Sequence, residues 1–171
     1  MKLLTLMMTD KQTKTLSGVL MTGIRVVLGI FWLLQITWKP PATFGCPSAG
    51  LCLWLDLEIQ HPVIQIYAEF VRLIVRPNVY LFGWITTIVE VFIGLSLLLG
   101  LFTRFGALVG VAWSINLLIG LANIPHEQGW YYAFLILLNL LFVAVGASGQ
   151  LSADRMKGWR SWWGRAEPFI S

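Results

Sequence analysis

The sequence predicts an all-α integral membrane protein: a four-helix transmembrane bundle with a short amphipathic helix on its outer face. The 171 residues are 57% apolar and only 12% charged, whereas a soluble chain carries about 25% charged residues. Four apolar stretches reach or approach the roughly 20 residues that cross a bilayer core. This composition excludes disorder, collagen-like repeats and a disulfide-rich miniprotein.

The four spans are predicted at residues 17–38, 79–102, 105–124 and 130–149, within a single domain that covers residues 1–171. Short turns join the last three spans and predict antiparallel neighbours. The N-terminal apolar run Leu3–Met8 is too short for a signal peptide. We therefore expect the first span to remain as an anchor.

A long segment separates the first span from the second. After its turn-rich beginning, residues 62–75 place apolar side chains at helical spacing, with Gln65, Glu69 and Arg72 on the other side. The pattern predicts a short amphipathic helix that lies on the outer membrane surface or caps the bundle.

The distribution of basic residues predicts the orientation. If both termini are inside, eight Lys and Arg residues face inward: Lys2, Lys11, Lys14, Arg104, Arg155, Lys157, Arg160 and Arg165. Only Lys39, Arg72 and Arg76 then face outward. Because inner loops carry the excess of Lys and Arg, we expect a multi-pass protein of the bacterial cytoplasmic membrane with both termini cytoplasmic.

Polar residues inside the spans are the strongest functional signal, since charged groups are costly in hydrocarbon. A helical rise of 1.5 Å per residue puts Arg25 about 12 Å, Glu90 about 18 Å, Asn116 about 16 Å and Asn139 about 15 Å from the inner face. These similar depths predict one buried polar cluster. It serves either as a structural clamp between helices or as a site for a quinone head group or a proton relay.

Cys46 and Cys52 fall on the predicted outer side. In a bacterium that compartment is oxidising, which favours a disulfide between them, with free thiols as the alternative. His61 and His126 also fall outside, but their spacing matches no known ligand set, so no metal site is predicted. Gly106 and Gly110 form a small-xxx-small pair that favours close helix packing.

Three blocks of sequence carry a family resemblance. The first is Arg25–Gly29, followed by Lys39 after the span. The second is the most specific, with a membrane Glu and a turn motif: Glu90, Gly94, Gly100 and Arg104. The third opens the last span with Trp130–Tyr132 and closes it with a segment that ends at Asp154.

In this order the blocks resemble the DoxX/DoxD family of small four-span membrane proteins. Two positions depart from the family pattern: Ile36 stands where the family usually has Gly, and Gln150 replaces the usual Arg. DoxD-like subunits are associated with thiosulfate:quinone oxidoreductase, and DoxX-like ones with membrane redox and oxidative-stress complexes. The resemblance therefore implies membership in a redox-linked membrane assembly.

Two functions follow as expectations. The first is an accessory membrane subunit of a larger respiratory or photosynthetic complex, structural or next to a quinone. The alternative is a thiosulfate:quinone oxidoreductase subunit with a quinone site at Arg25 and Glu90. Whether the chain is itself an enzyme stays open. We expect no intrinsic cofactor, a bound quinone or lipid, and membrane lipids and other membrane subunits as partners. Nucleic acid is not expected, because the chain lacks a basic helix or zinc-finger spacing.

Overall fold

A computed structural model describes the backbone of residues 10–146 and the side chains of residues 16–146. The described part is helical and contains no strand, which confirms the all-α class. The elements, in chain order, are α1 (Asp10–Leu34), α2 (Gly50–Gln60), α3 (Gln65–Phe70) with a π-helical turn (Val71–Val75) directly after it, α4 (Val79–Leu99), α5 (Thr103–Leu121) and α6 (Gly129–Val145).

Three helical segments are long and apolar enough to cross a membrane: Leu16–Leu34, Val79–Leu99 and Thr103–Leu121. The fourth, α6, is equally apolar but has 17 residues, a length of about 26 Å against a bilayer core of about 30 Å. The chain is thus a membrane protein, with three helices of spanning length and a fourth that is shorter.

The helix boundaries differ from the predicted spans for identifiable reasons. The first helix ends at Leu34 rather than residue 38, because the chain tightens into i−3 hydrogen bonds and then meets Pro40 and Pro41, which cannot extend a helix. The second predicted span, α4, ends at Leu99 because Gly100 adopts the left-handed conformation, with φ 68°. The last ends at Val145, before Gly146, and residues 147–149 lie outside the described part.

Glycines allow the helices of the bundle to approach closely. A Cβ on Gly29 of α1 would lie 2.8 Å from the backbone nitrogen of Leu98 and 2.9 Å from the carbonyl oxygen of Gly94 on α4. Likewise, a Cβ on Gly106 of α5 would lie 2.2 Å from Oγ of Ser96 on α4. Small residues therefore set the spacing of α1, α4 and α5, as is common between membrane helices.

The segment between α1 and α4 forms a folded cap, which we define as α2, α3 and the π-helical turn. Its core contains Cys52, Leu55, Val71 and Val75, which pack with Val79 at the start of α4. The predicted disulfide is present and joins Cys46 to Cys52. The expected amphipathic helix begins at Gln65 and becomes π-helical at Val71, while α2 was not predicted.

Residues 35–49 connect α1 to the cap and pack along α4, from Glu90 to Gly83. Phe44 in this loop is fully buried, and its ring occupies the space next to Gly83, where a Cβ would lie 2.7 Å from the ring atoms. Edge-to-face contacts with Tyr80 and Trp84 fix the same ring. The loop is therefore anchored on α4, and it carries Lys39 into the bundle.

Candidate functional site

A cavity of about 620 Å³ lies between the cap and the helical bundle. Each of the six α-helices in residues 10–146 contributes to its wall, mostly with aromatic and aliphatic side chains. Examples are Phe31 and Trp32 from α1, Trp54 from α2, Phe70 from α3, Phe82 from α4, Trp113 from α5 and Tyr131 from α6. Its volume is within the range of sites for small organic molecules.

An ion pair between Lys39 and Glu90 forms part of the cavity wall. Lys39 Nζ donates to Glu90 Oε1 at 2.6 Å, and each side chain is only 2% exposed. The ammonium group also lies 4.6 Å from the centre of the Trp38 ring, a cation–π distance. Burial lowers the pKa of Lys39, and the negative charge of Glu90 opposes that shift.

The expected pairing of Arg25 with Glu90 is wrong, because the partner of Glu90 is Lys39. Gly29 of α1 contacts Gly94 and Leu98 of α4. Because α1 and α4 run antiparallel, Arg25, one turn before Gly29, lies near the end of α4 and the turn that follows it. Glu90 lies in the opposite direction, and the two residues are about 15 Å apart along the bundle axis. Arg25 is itself buried, at 2% exposure, but does not line the cavity.

The two asparagines of the predicted cluster also separate. Asn116 lines the cavity, where its Oδ1 accepts a hydrogen bond from the Tyr67 hydroxyl at 3.2 Å. Asn139 is fully buried between α5 and α6 and does not line the cavity. Its Nδ2 donates to the carbonyl of Leu135 at 2.8 Å. The structure thus brings Glu90 and Asn116 to one cavity with Lys39 and leaves Arg25 and Asn139 elsewhere.

The remaining motif residues serve packing and turns in the described part. Gly94 lies at the α1–α4 contact, and Gly100 ends α4. Arg104, at the start of α5, extends toward Gly146, where a Cβ would lie 2.8 Å from its Nε. Asp154 is outside the described residues.

Four buried polar atoms of cavity-lining residues have no hydrogen-bond partner in the described part of the chain. They are the two indole nitrogens of Trp32 and Trp113 and one carboxylate oxygen each of Glu58 and Glu90. Buried polar groups are normally paired, and each exception calls for a reason. The Trp113 indole also faces the Glu90 carboxylate as a donor, which leaves the Trp32 indole and the Glu58 carboxyl as the polar groups that would orient an amphipathic ligand.

Glu58 marks a second polar end of the cavity that the sequence did not reveal as a site. Its carboxyl packs on α5, where a Cβ on Gly120 would lie 2.9 Å from Cδ. Burial raises the pKa of Glu58 to about 7. Burial, and then the nearby charge of Glu58, also raise the pKa of Tyr67. On the far side, the Tyr132 hydroxyl donates to Glu127 Oε2 at 3.0 Å.

A periodic signal for this end was available in the sequence. The lining residues of α2 are Gly50, Leu51, Trp54, Leu55 and Glu58, which follow helical spacing. That spacing puts Glu58 on the apolar face of a helix, where a carboxylate is unusual.

Comparison with known proteins supports the resemblance noted in the sequence. No curated protein and no solved structure matches the chain. One family model matches residues 58–158, more than half of the chain, and is described as the TQO small subunit DoxD. The matched range begins at Glu58 and includes Glu90, Gly94, Gly100 and Arg104, whereas Arg25, Lys39 and the disulfide precede it. By this match, the chain belongs to the DoxD family.

Proposed function

We propose that the chain is a membrane subunit of a thiosulfate:quinone oxidoreductase and that its cavity holds the quinone head group. The family supports a subunit of a quinone-linked oxidoreductase. The observation that carries the proposal is the aromatic cavity with unpartnered polar atoms in its wall. An accessory subunit with a purely structural role is the competing function.

The cavity has the chemistry that a quinone needs. A quinone ring is flat and apolar, and aromatic walls favour it by stacking and edge contacts. Its two carbonyl oxygens are acceptors only, so they require donors. The indole N–H of Trp32 is a donor without a described partner in the lining residues. The Trp113 indole faces the Glu90 carboxylate, and the Lys39 ammonium, bonded to the same carboxylate, is a buried cation in the wall.

The proposal includes a topology. We place the cap on the outer side of a bacterial cytoplasmic membrane, with both termini in the cytoplasm and α6 as a fourth span. The support is the distribution of basic residues. Lys39, Arg72 and Arg76 belong to the cap end, whereas Arg104 and the seven Lys and Arg residues of the two terminal segments are assigned to the cytoplasmic side. Lipids and further membrane subunits are the partners that this placement implies.

Tryptophan fluorescence tests the site, because Trp32, Trp54 and Trp113 line the cavity. We expect a short-tailed benzoquinone to quench the detergent-solubilised protein saturably, and Trp113→Phe to lower both quenching and affinity. Trp130→Phe is the matched control, since Trp130 is 67% exposed and outside the cavity. Quenching that rises linearly, without saturation, in the wild type would refute the quinone site and favour the structural role.

A further inference from the structure

The cavity has two chemically different ends. At one end the Glu90 carboxylate is bonded to the Lys39 ammonium. At the other, Glu58 presents a carboxyl group whose Oε2 is buried and has no hydrogen-bond partner among residues 16–146. A buried carboxyl without a cation is stable mainly in its protonated form, so the two ends offer different groups to one ligand.

The two arginines of the cap region are engaged with carboxylates other than Glu58. Arg76, directly after the π-helical turn, donates two hydrogen bonds to the Asp56 carboxylate, at 2.6 and 3.0 Å. Arg72 of the same turn pairs with Glu69 on the exposed side of the cap. Within residues 16–146, Glu58 therefore has no ion-pair partner, even though three basic side chains lie in or beside the cap.

The other elements packed against Glu58 offer it polar but uncharged neighbours. From α5 it meets Gly120, and Asn116 lines the same cavity. From α3 and α6 the Tyr67 and Tyr132 hydroxyls lie within electrostatic reach.

Both hydroxyls donate elsewhere, to Asn116 and Glu127. Their oxygens keep acceptor capacity for a protonated carboxyl. The other charged residues that line the cavity in the described part of the chain are Glu127 in the α5–α6 loop, and Glu90 and Lys39, which are paired with each other.

Glu58 also lies between the cavity and the protein surface. Glu58 lines the cavity and is partly exposed, whereas its Oε2 is buried. It belongs to α2 in the cap, close to where the chain meets water at Gln60 and His61. A carboxyl in this position can face the ligand and still exchange with solvent.

We infer that Glu58 delivers protons to the quinone in this cavity, an inference that rests on the proposed function. Two thiosulfate ions join through a new S–S bond and release two electrons, and the quinone takes up those electrons with two protons. The O–H bond of Glu58 breaks as an O–H bond forms on a quinone oxygen. The carboxylate then regains a proton from water at the cap end, and a second cycle supplies the second proton.

The acid–base properties of Glu58 fit this role. Burial raises its pKa to about 7, so the group can both hold and release a proton near neutral pH. Groups with such a pKa are the most effective proton donors under those conditions. Within residues 16–146, Glu90 and Asp56 are each ion-paired, with Lys39 and Arg76, whereas Glu58 is not.

The test compares thiosulfate-dependent quinone reduction in membranes that contain the assembled protein, over pH 5.5–8.5. We expect Glu58→Gln to lower kcat by about a hundredfold or more, since a general acid contributes roughly 10²–10⁴-fold, with KM for quinone changed less than about twofold. The pH dependence near 7 should disappear, and Glu58→Asp should restore part of the rate. Glu69→Gln is the control, a cap carboxylate that is 40% exposed and outside the cavity.

The outcomes separate the two proposals. If quinone quenches the Glu58→Gln variant saturably and that variant keeps the wild-type kcat and pH profile, the proton-delivery role is refuted while the quinone site stands. If the wild type shows no saturable quinone binding, the quinone site fails and the role of Glu58 fails with it. A fall in kcat with an unaltered pH profile would also contradict proton delivery, since a structural effect would not depend on this titration.

Discussion

Breaking the ion pair between Lys39 and Glu90 should destabilise the protein strongly. The two charged groups are 2.6 Å apart, and each side chain is 2% exposed. Lys39→Met or Glu90→Gln leaves the other group in the interior without its charge partner, which costs about 3–5 kcal/mol. Replacing both, in Lys39→Met/Glu90→Met, removes both buried charges, and such replacements are often neutral. We expect the double variant to be more stable than either single variant.

The assay is thermal unfolding in mild detergent, followed by tryptophan fluorescence. For a chain of this length a loss of 3–5 kcal/mol corresponds to a fall in Tm of about 6–20 °C. Arg72→Met is the control, because its pair with Glu69 is exposed and worth about 1 kcal/mol or less. Glu90→Asp keeps the charge and should lose less stability than Glu90→Gln. Strictly additive losses in the double variant would show that the two groups do not stabilise each other.

Two further predictions concern other contacts. Because burial raises the pKa of Glu58 from 4.5 to about 7, the folded state binds this proton more tightly, and stability should fall as pH rises from 4.5 to 7. Glu58→Gln should remove that loss. The stability of the variant relative to the wild type, measured by thermal unfolding, should therefore increase between pH 5 and pH 8, by up to about 3 kcal/mol. The same stability difference at pH 5 and at pH 8 would contradict this prediction. Gly110→Val should lower Tm by the equivalent of about 1–3 kcal/mol, since a Cβ would lie 2.3 Å from Oδ1 of Asn139, whereas Gly23→Ala, with nothing within 4 Å, should not. Partial rescue of Gly110→Val by Asn139→Ala would identify the clash, and its absence would place the strain elsewhere.

The parts of the fold set by local pattern were predictable. Long apolar runs indicated the helices, the Glu90–Arg104 motif indicated the family, and two cysteines six residues apart on one side indicated the disulfide. Each signal lies within one short stretch of sequence, so no knowledge of the tertiary fold was needed.

The composition of the site was not predictable in the same way. Depth counting considered only residues inside spans, so it matched Glu90 with Arg25 and left Lys39 in the outer water. The fold of the 35–49 loop decides otherwise, because Phe44 anchors the loop on Gly83 and carries Lys39 inward. Which cation pairs with Glu90 therefore depends on a tertiary contact that no local sequence pattern indicates. Glu58 was missed because α2 was not recognised as a helix.

The way the cavity is enclosed has a consequence for biosynthesis. Its wall takes side chains from α1 and from α6, as well as from the segment that connects α1 to α4. A ribosome-bound chain that has not yet released α6 would lack Tyr131, Tyr132 and Leu135 from that wall. The compartment can therefore close only after α6 has left the ribosome, and chains truncated before α6 should be unable to retain a molecule that the cavity encloses.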